Sequence, residues 1–455
     1  MTDLTSQSLS TLARLIQTRA ASSIDVVEAH LRRIEEINPE LNAIVTLAPD
    51  VLEKAREAQA AIEAGAVCGP LQGVPVTVKD TIETAGLRTT SGSVMREHFV
   101  PELDAPAVAR LKAAGAIILG KTNAAEMAMD YTADNPVFGR TNHPVDAALT
   151  PGGSSGGEAA AIASFMSPGG IGSDLAGSVR VPAHFCGIAG LRPTVGRVPG
   201  AGQFPASDGP YSLGSVIGPM ARTIEDLQLL FRVLAAEPIF KQKADLNGMS
   251  VAWYTDDSVA PVSIEIADAV ESAVRSLSKS GIKTKEQRPP GVERGNDLWL
   301  RLFSRTTVVK LRSLYRGREQ EGGDFVRWRL ATADGEPEPS LDEYIQAWFD
   351  RDTLREELQR WMQETPLIVA PVGATAAVPH GTLKVQAGDN MIGIFRAFSY
   401  AQAFTVFDLP VVVVTAGRTK EGLPIGVQVV GRPFEEETAL AAARIIEEAF
   451  QQQDR

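Results

Sequence analysis

Apolar residues recur at helical spacing through SSIDVVEAHLRRIEEINPE, residues 22–40, with Ser22 or Ser23 placed as N-cap and Asn38-Pro39 as the stop. A second helix is predicted over DVLEKAREAQAAIEAG, capped by Asp50 and ended by Gly65. The period then changes. GVPVTVKD carries a short β-branched run, Val74 to Val78, that reads as a buried strand. APAVARLKAAG is a helix ending at Gly115, and AIILG a second apolar strand. GEAAAIASFM is a helix opening at Gly157-Glu158, followed by the short strand IGSDL. Helices alternating with continuous apolar strands predict an α/β layered body around a largely buried sheet.

Residues 195–220 are rich in Gly, Pro and Ser and too long for a simple connection, which marks a candidate functional loop. From 222 to 365 the pattern is mostly helical, with a strand near MSVAWY, and reads as a candidate insertion or lid. PLIVAPV, LPVVVVTAG and PIGVQVVG return to the buried-strand type, and EEETALAAARIIEEAF closes as a helix. With no internal repeat or convincing linker, residues 1–455 read as a single domain.

Composition narrows the partners. The chain has 455 residues, 44% of them hydrophobic and 22% charged, which suits a soluble globular protein with a large core. A net charge of −12 disfavours nucleic acid and anionic membranes. The two cysteines, Cys68 and Cys186, are far apart, so no disulfide framework is expected and a reducing compartment fits. No basic leader with an apolar core opens the chain, and no uncharged run is long enough to span a bilayer, so the expected location is the cytoplasm. The five histidines are scattered, and neither a metal nor a cofactor is expected.

One motif misleads. GAIILGKT, residues 115–122, fits the nucleotide-binding pattern G-x-x-x-x-G-K-T. That motif needs a phosphate-wrapping loop after a strand, with a helix starting at its lysine. Here Ala116, Ile117, Ile118 and Leu119 are strand residues and the helix comes first, so the stretch reads as a strand.

Three stretches join small residues to a hydroxyl or amine. VPVTVKD puts Lys79 at the end of an apolar strand, where an ordinary solvated lysine is the plain alternative. The GGSSGG turn precedes a helix, and its plain alternative is a serine N-cap. In GSDLAGSVRVPAHFCG, Ser178 follows Ala176-Gly177 ahead of a helix start near Pro182, leaving unpaired N–H groups beside a hydroxyl, as an oxyanion hole requires.

Together they resemble one family. Lys79, GGSSGGEAA and GSDLAGSVRVPAHFCGIAGLRPT, in that order, are similar to the amidase signature family, as are GKTNAAEMAM, NPVFGRTNHPVD and LPIGVQVVGRPFEEETAL. The resemblance covers most of residues 5–235 and again about 365–450, with residues 70–200 as its core. It implies an α/β/α fold with a large mixed central sheet between helices. It also implies a Ser–Ser–Lys triad: Ser178 as nucleophile, Ser154 as bridging serine in a cis peptide bond with Ser155, and Lys79 as base. A lysine in that role must be neutral, which burial favours. The implied oxyanion hole uses backbone N–H groups of Leu175, Ala176, Gly177 and Ser178. Ala128, Met129, Asp130 and Tyr131 align with a segment that lines the site, Tyr131 being the candidate substrate contact. A small-molecule amide is the implied substrate, and a homodimer the implied assembly.

This chain departs from the family pattern at several places. Ala176 replaces the usual glycine, while Thr405 and Asp408 replace an Asn and a Gly in a region that commonly borders substrate. Val181 stands where the transamidating members that work with charged transfer RNA typically carry glutamine, which favours a stand-alone amidase. Arg180 reads as a support for the loop, and His184 and Cys186 as packing residues. Ser155 reads as a helix cap. Phe395, Phe398, Tyr400, Phe404 and Phe407 read as one core helix over 391–407, with an apolar acyl pocket as the alternative. The implied reaction is hydrolysis of a linear carboxamide to an acid plus ammonia or an amine through an acyl-enzyme. The alternatives are the glutaminase component of a glutamine-dependent aminoacyl-tRNA amidotransferase and a catalytically silent binding component.

Overall fold

The computed structural model describes residues 3–66, 69–237, 244–335 and 337–453. Cys68 lies outside the described residues. Strands run in chain order as β1 (Ile44–Leu47), β2 (Pro75–Lys79), β3 (Ile117–Thr122), β4 (Gly169–Asp174), β5 (Ala189–Arg192) and β6 (Val216–Ala221). They continue as β7 (Ser250–Trp253), β8 (Lys283–Glu286), β9 (Leu367–Pro371), β10 (Lys384–Ala387), β11 (Asn390–Gly393), β12 (Val411–Arg418) and β13 (Pro424–Val430). Eleven of these form one sheet in the order β1-β3-β2-β4-β6-β5-β12-β13-β9-β7-β8, and β10 and β11 form a separate hairpin. The sheet is mixed: β2 is parallel to β3 and β4, whereas β12 is antiparallel to β5 and β13.

Helices cover both faces, and the alternation along a strand explains how. Val412 and Val414 of β12 belong to one apolar cluster, while Val411 and Val413 belong to the other. Successive side chains of a strand point to opposite faces, so a run of four valines feeds two cores at once. This is why the strand reads as continuous apolar sequence without alternation.

Most elements fall where the periodicity places them. GAIILGKT is the case that tests a motif against a pattern. Ile117–Thr122 is strand β3, buried at every position, and the preceding helix is Pro106–Ala113. Lys121 is buried too, donating to Ile82 O and, at 2.9 Å, to Thr84 Oγ1. Helix Ser23–Leu41 starts as predicted, with Ser22 Oγ accepting the N–H of Asp25, but it does not stop at Asn38-Pro39. It continues to Leu41 and ends at Asn42, whose φ of 51° turns the chain. Proline at 39 removes one donor from the last turn without preventing it.

Residues 222–365 are not wholly apart from the sheet, because they supply β7 and β8 at one end of it. The segment read as one core helix over 391–407 begins as strand β11 and continues as helices Ile394–Ala397 and Ser399–Val406. Among the described residues no helix is long and apolar enough to cross a membrane.

Candidate active site

Lys79 is the last residue of β2, and parallel pairing of Val78 with Ile171 sets it beside the end of β4. The Nζ group is fully buried and donates to Ser154 Oγ at 2.7 Å and to Ser173 Oγ at 2.9 Å. Burial holds the amine far below its ordinary range, at about 7, against the opposing pull of Asp174 and Glu158. Glu158 is itself pushed up to about 7 by burial, although Thr77 and Thr122 donate hydroxyl hydrogen bonds to it at 2.5 and 2.7 Å. A lysine close to neutral at physiological pH can accept a proton.

The GGSSGG turn brings Ser154 to that amine. A Cβ on Gly153 would lie 2.0 Å from Thr132 O, so only glycine lets the two backbones approach. The cis peptide joins Gly153 to Ser154, not Ser154 to Ser155 as the resemblance implies. The peptide after Ser154 instead sends the Ser155 N–H to Ser178 O at 3.1 Å, tying the turn to the loop that carries Ser178. Ser155 occupies the N-cap position of helix Gly156–Ala163, yet its side chain makes no capping bond. Its Oγ faces β4, donating to Ser173 O at 3.3 Å. Ser155 thus ties the turn to the sheet, which corrects the capping role.

The loop after β4 presents Ser178. Its Oγ finds no hydrogen-bond partner among the described residues, and Ser178 and Ser154 line the same cleft. Asp174, at the end of β4, organises this loop. Its Oδ1 accepts the N–H of Gly177 at 2.9 Å and its Oδ2 that of Val179 at 3.1 Å. Burial would raise the Asp174 carboxyl, but Arg180 outweighs it and holds the group at about 2. Arg180 grips it with Nη2 at 2.8 Å and Nε at 3.0 Å, and reaches Ala401 O, Gln428 Oε1 and Thr405 Oγ1 as well. The expectation of four free N–H donors is therefore not met. Gly177 gives its N–H to Asp174, while the N–H groups of Leu175, Ala176 and Ser178 meet no protein acceptor among the described residues.

Two further side chains hold this loop from outside. Tyr131 Oη donates to Ala176 O at 2.7 Å, and Trp299 Nε1 donates to Leu175 O at 3.0 Å. Gln402 Nε2 donates to Tyr131 Oη at 3.1 Å and is itself held by Asn296 at 2.6 Å. The indole acts on the Leu175–Ala176 peptide, whose other end is the free N–H of Ala176. Hydrogen bonding at the carbonyl polarises that N–H. The substitution at Ala176 is accommodated because its φ is not positive; Gly177, with φ of 111°, is the position that requires glycine.

The cleft is lined by Ala128, Met129, Asp130 and Tyr131 together with Met127, and the loop 195–220 contributes Phe204, Pro205 and Tyr211. Leu175 and Ala176 line it as well. Of the five aromatic residues noted between 391 and 407, only Phe395 reaches it; Phe398, Tyr400, Phe404 and Phe407 are fully buried. Thr405 and Asp408 do not border the cleft. Thr405 braces Arg180, and Asp408 accepts the N–H of Val195 at 3.0 Å. His184 and Cys186 are buried, the imidazole accepting the N–H of Gly426 at 2.8 Å. Ser173, Asp174 and Trp299 have no foreshadowing in the sequence beyond one clue: IGSDL ends an apolar strand on two polar residues that become buried. Among the described residues no cluster of His, Cys, Asp and Glu could hold a metal ion.

Known proteins resemble the chain over most of its length. The family model described as Amidase matches residues 25–440. The chain is 32% identical to the A component of the glutamyl-tRNA(Gln) amidotransferase of Roseiflexus sp. (strain RS-1), over 97% of this chain and 96% of that one. It is 30% identical to human fatty-acid amide hydrolase 2, over 96% of this chain and 88% of that one. A solved amidase structure superimposes with a TM-score of 0.88 at 27% identity, covering 98% of this chain and 100% of that one.

Proposed function

The chain belongs to the amidase signature family of hydrolases acting on amides, and on that premise we propose that it hydrolyses a linear carboxamide through Ser178, Ser154 and Lys79. The observation that carries this reading is the buried Lys79 amine, held near neutrality and bonded at 2.7 Å to Ser154, in the cleft that Ser178 also lines. The Ser178 Oγ attacks the carbonyl carbon as its proton passes to Ser154 and the Ser154 proton passes to Lys79. A hydroxyl both donates and accepts, so the Lys79–Ser154 bond can run in either direction. The oxyanion lies against the N–H groups of Leu175, Ala176 and Ser178. Collapse breaks the C–N bond, and the proton held on Lys79 returns through Ser154 to the leaving nitrogen. Water then attacks the acyl-enzyme by the same relay, releasing the acid and restoring Ser178.

The test is covalent. A fluorophosphonate should add its phosphonyl mass to the peptide containing Ser178, read by mass spectrometry, and a label on Ser154 instead would overturn the assignment of roles. A second expectation concerns the loop. Trp299→Phe removes the indole N–H along with part of the buried ring, so kcat should fall at least about tenfold, the equivalent of one lost hydrogen bond. The fall should exceed any rise in KM; equal changes in both would mean that the bond serves packing alone.

A second reading is favoured by several relatives at 30–33% identity, each the A component of a glutamyl-tRNA(Gln) amidotransferase. Under it the same three residues release ammonia from glutamine inside a complex. Co-purification with partner proteins would favour it, and hydrolysis of simple amides by the isolated chain would count against it.

A further inference from the structure

We propose that the cleft is built for the amide of an uncharged carboxylic acid bearing a single aromatic ring, and that it excludes amides carrying a carboxylate. This rests on the amide-hydrolase reading above and deepens it. The walls are aromatic. The Tyr131 and Phe395 rings lie 5.0 Å apart at 52°, and Trp299 stacks on Phe395 at 6.4 Å and 26°. Phe204 and Tyr211 line the same cleft.

Three of these rings carry polar groups, and each is already committed within the protein. Tyr131 Oη goes to Ala176 O, Trp299 Nε1 to Leu175 O, and Tyr211 Oη pairs with Thr307 Oγ1 at 2.5 Å. The cleft is therefore offered ring surfaces, not the donors at their ends. Such surfaces favour another ring, through offset or edge contacts that add to simple burial.

Charge selects as well. None of the described residues lining the cleft is Lys, Arg or His. Its ionisable side chains are carboxylic acids and phenols: Asp174 is paired with Arg180, and Asp130 accepts from the Tyr131 N–H at 2.7 Å and from Thr132 Oγ1 at 3.0 Å. A substrate carboxylate would be desolvated there without a cation to meet it, beside groups of its own sign.

The ring-lined walls also favour a ring over an extended alkyl chain, which gains burial against these faces but not the ring–ring contacts. The balanced reaction is the primary amide plus water giving the aromatic acid plus ammonia, with the C–N bond broken and the acyl group carried transiently on Ser178.

The experiment measures ammonia release by the full chain from benzamide, phenylacetamide, dodecanamide and glutamine, with fluorophosphonate labelling of Ser178 as a parallel arm. The expected result is kcat/KM for one of the ring amides at least about fiftyfold above that for glutamine and dodecanamide. This is the order of discrimination expected from an unpaired charge or a badly fitted chain. Phe395→Ala should lower the ring-to-chain ratio about tenfold. Labelling of Ser178 with preference for glutamine or dodecanamide, or with no preference, would overturn the inference while leaving the amide-hydrolase reading intact. Absence of both labelling and turnover would overturn the two together.

Discussion

Lys79→Met should lower kcat on the order of 10⁴-fold, the loss expected when the proton acceptor of a catalytic triad is removed. Strand β2 ends on Lys79, whose side chain lies on the face shared with Thr77, buried against Ser154 and Ser173. Burial then disfavours the ammonium form, and the amine titrates at about 7 instead of 10.5. The consequence for wild-type activity is an acid limb. The base form is lost as pH falls, so kcat/KM should decline below about 7.

The same shift has a signed effect on stability. The folded-state value is depressed below the unfolded one, so between about 7 and 10.5 the unfolded chain holds a proton that the folded chain does not. Stability therefore rises with pH across that window, and at or below neutrality the buried amine is a cost. Methionine fills a similar volume without the charge, so the variant's Tm at pH 7 should equal or exceed that of the parent. Ammonia release and thermal melting, measured together, check both halves. A variant that is inactive because it melts earlier would show that Lys79 is a structural group.

The difference between what could be read from the chain and what could not follows the range of the interactions. Strand runs such as VVVV at 411–414 are legible because burial on both faces is written into consecutive residues. The order of Lys79, Ser154 and Ser178 is legible because short motifs carry them, each within one turn or strand end. Ser173 is not, because its contact with Lys79 depends on parallel pairing of strands separated by 94 residues in sequence. Trp299 is harder still. It arrives on helix Gly295–Trp299, from the segment 222–365 that carries none of the motifs quoted for the family, and its role is visible only through one bond to Leu175 O. The misassignment of Thr405 and Asp408 has the same origin. Both lie near the cleft along the chain, but Arg180 and the backbone of Val195 claim their polar atoms first. Gly177 repeats the lesson at one N–H: a loop can count its donors, but Asp174 decides how many stay free.

The second large effect belongs to Arg180. Arg180→Met should destabilise the fold by about 3–5 kcal/mol, the cost of leaving a buried charge without its partner. Asp174 and Arg180 are both fully enclosed, and the guanidinium is bonded to both carboxylate oxygens and to three other acceptors. With methionine in place, Asp174 must either keep an unpaired charge or take up a proton, and in the second case it accepts the Gly177 and Val179 N–H groups less strongly. Urea denaturation at pH 7 measures the first effect and kcat the second. A double variant separates them. Arg180→Met with Asp174→Leu removes both charges, so much of the stability should return, as replacement of whole buried ion pairs by apolar residues commonly allows. Activity should not return, because the Gly177 N–H loses its anchor and the loop carrying Leu175, Ala176 and Ser178 loses its fixed geometry. If the double variant recovers turnover along with stability, the ion pair serves only the fold and the loop carrying Ser178 is held by its bonds from Tyr131, Trp299 and Ser155.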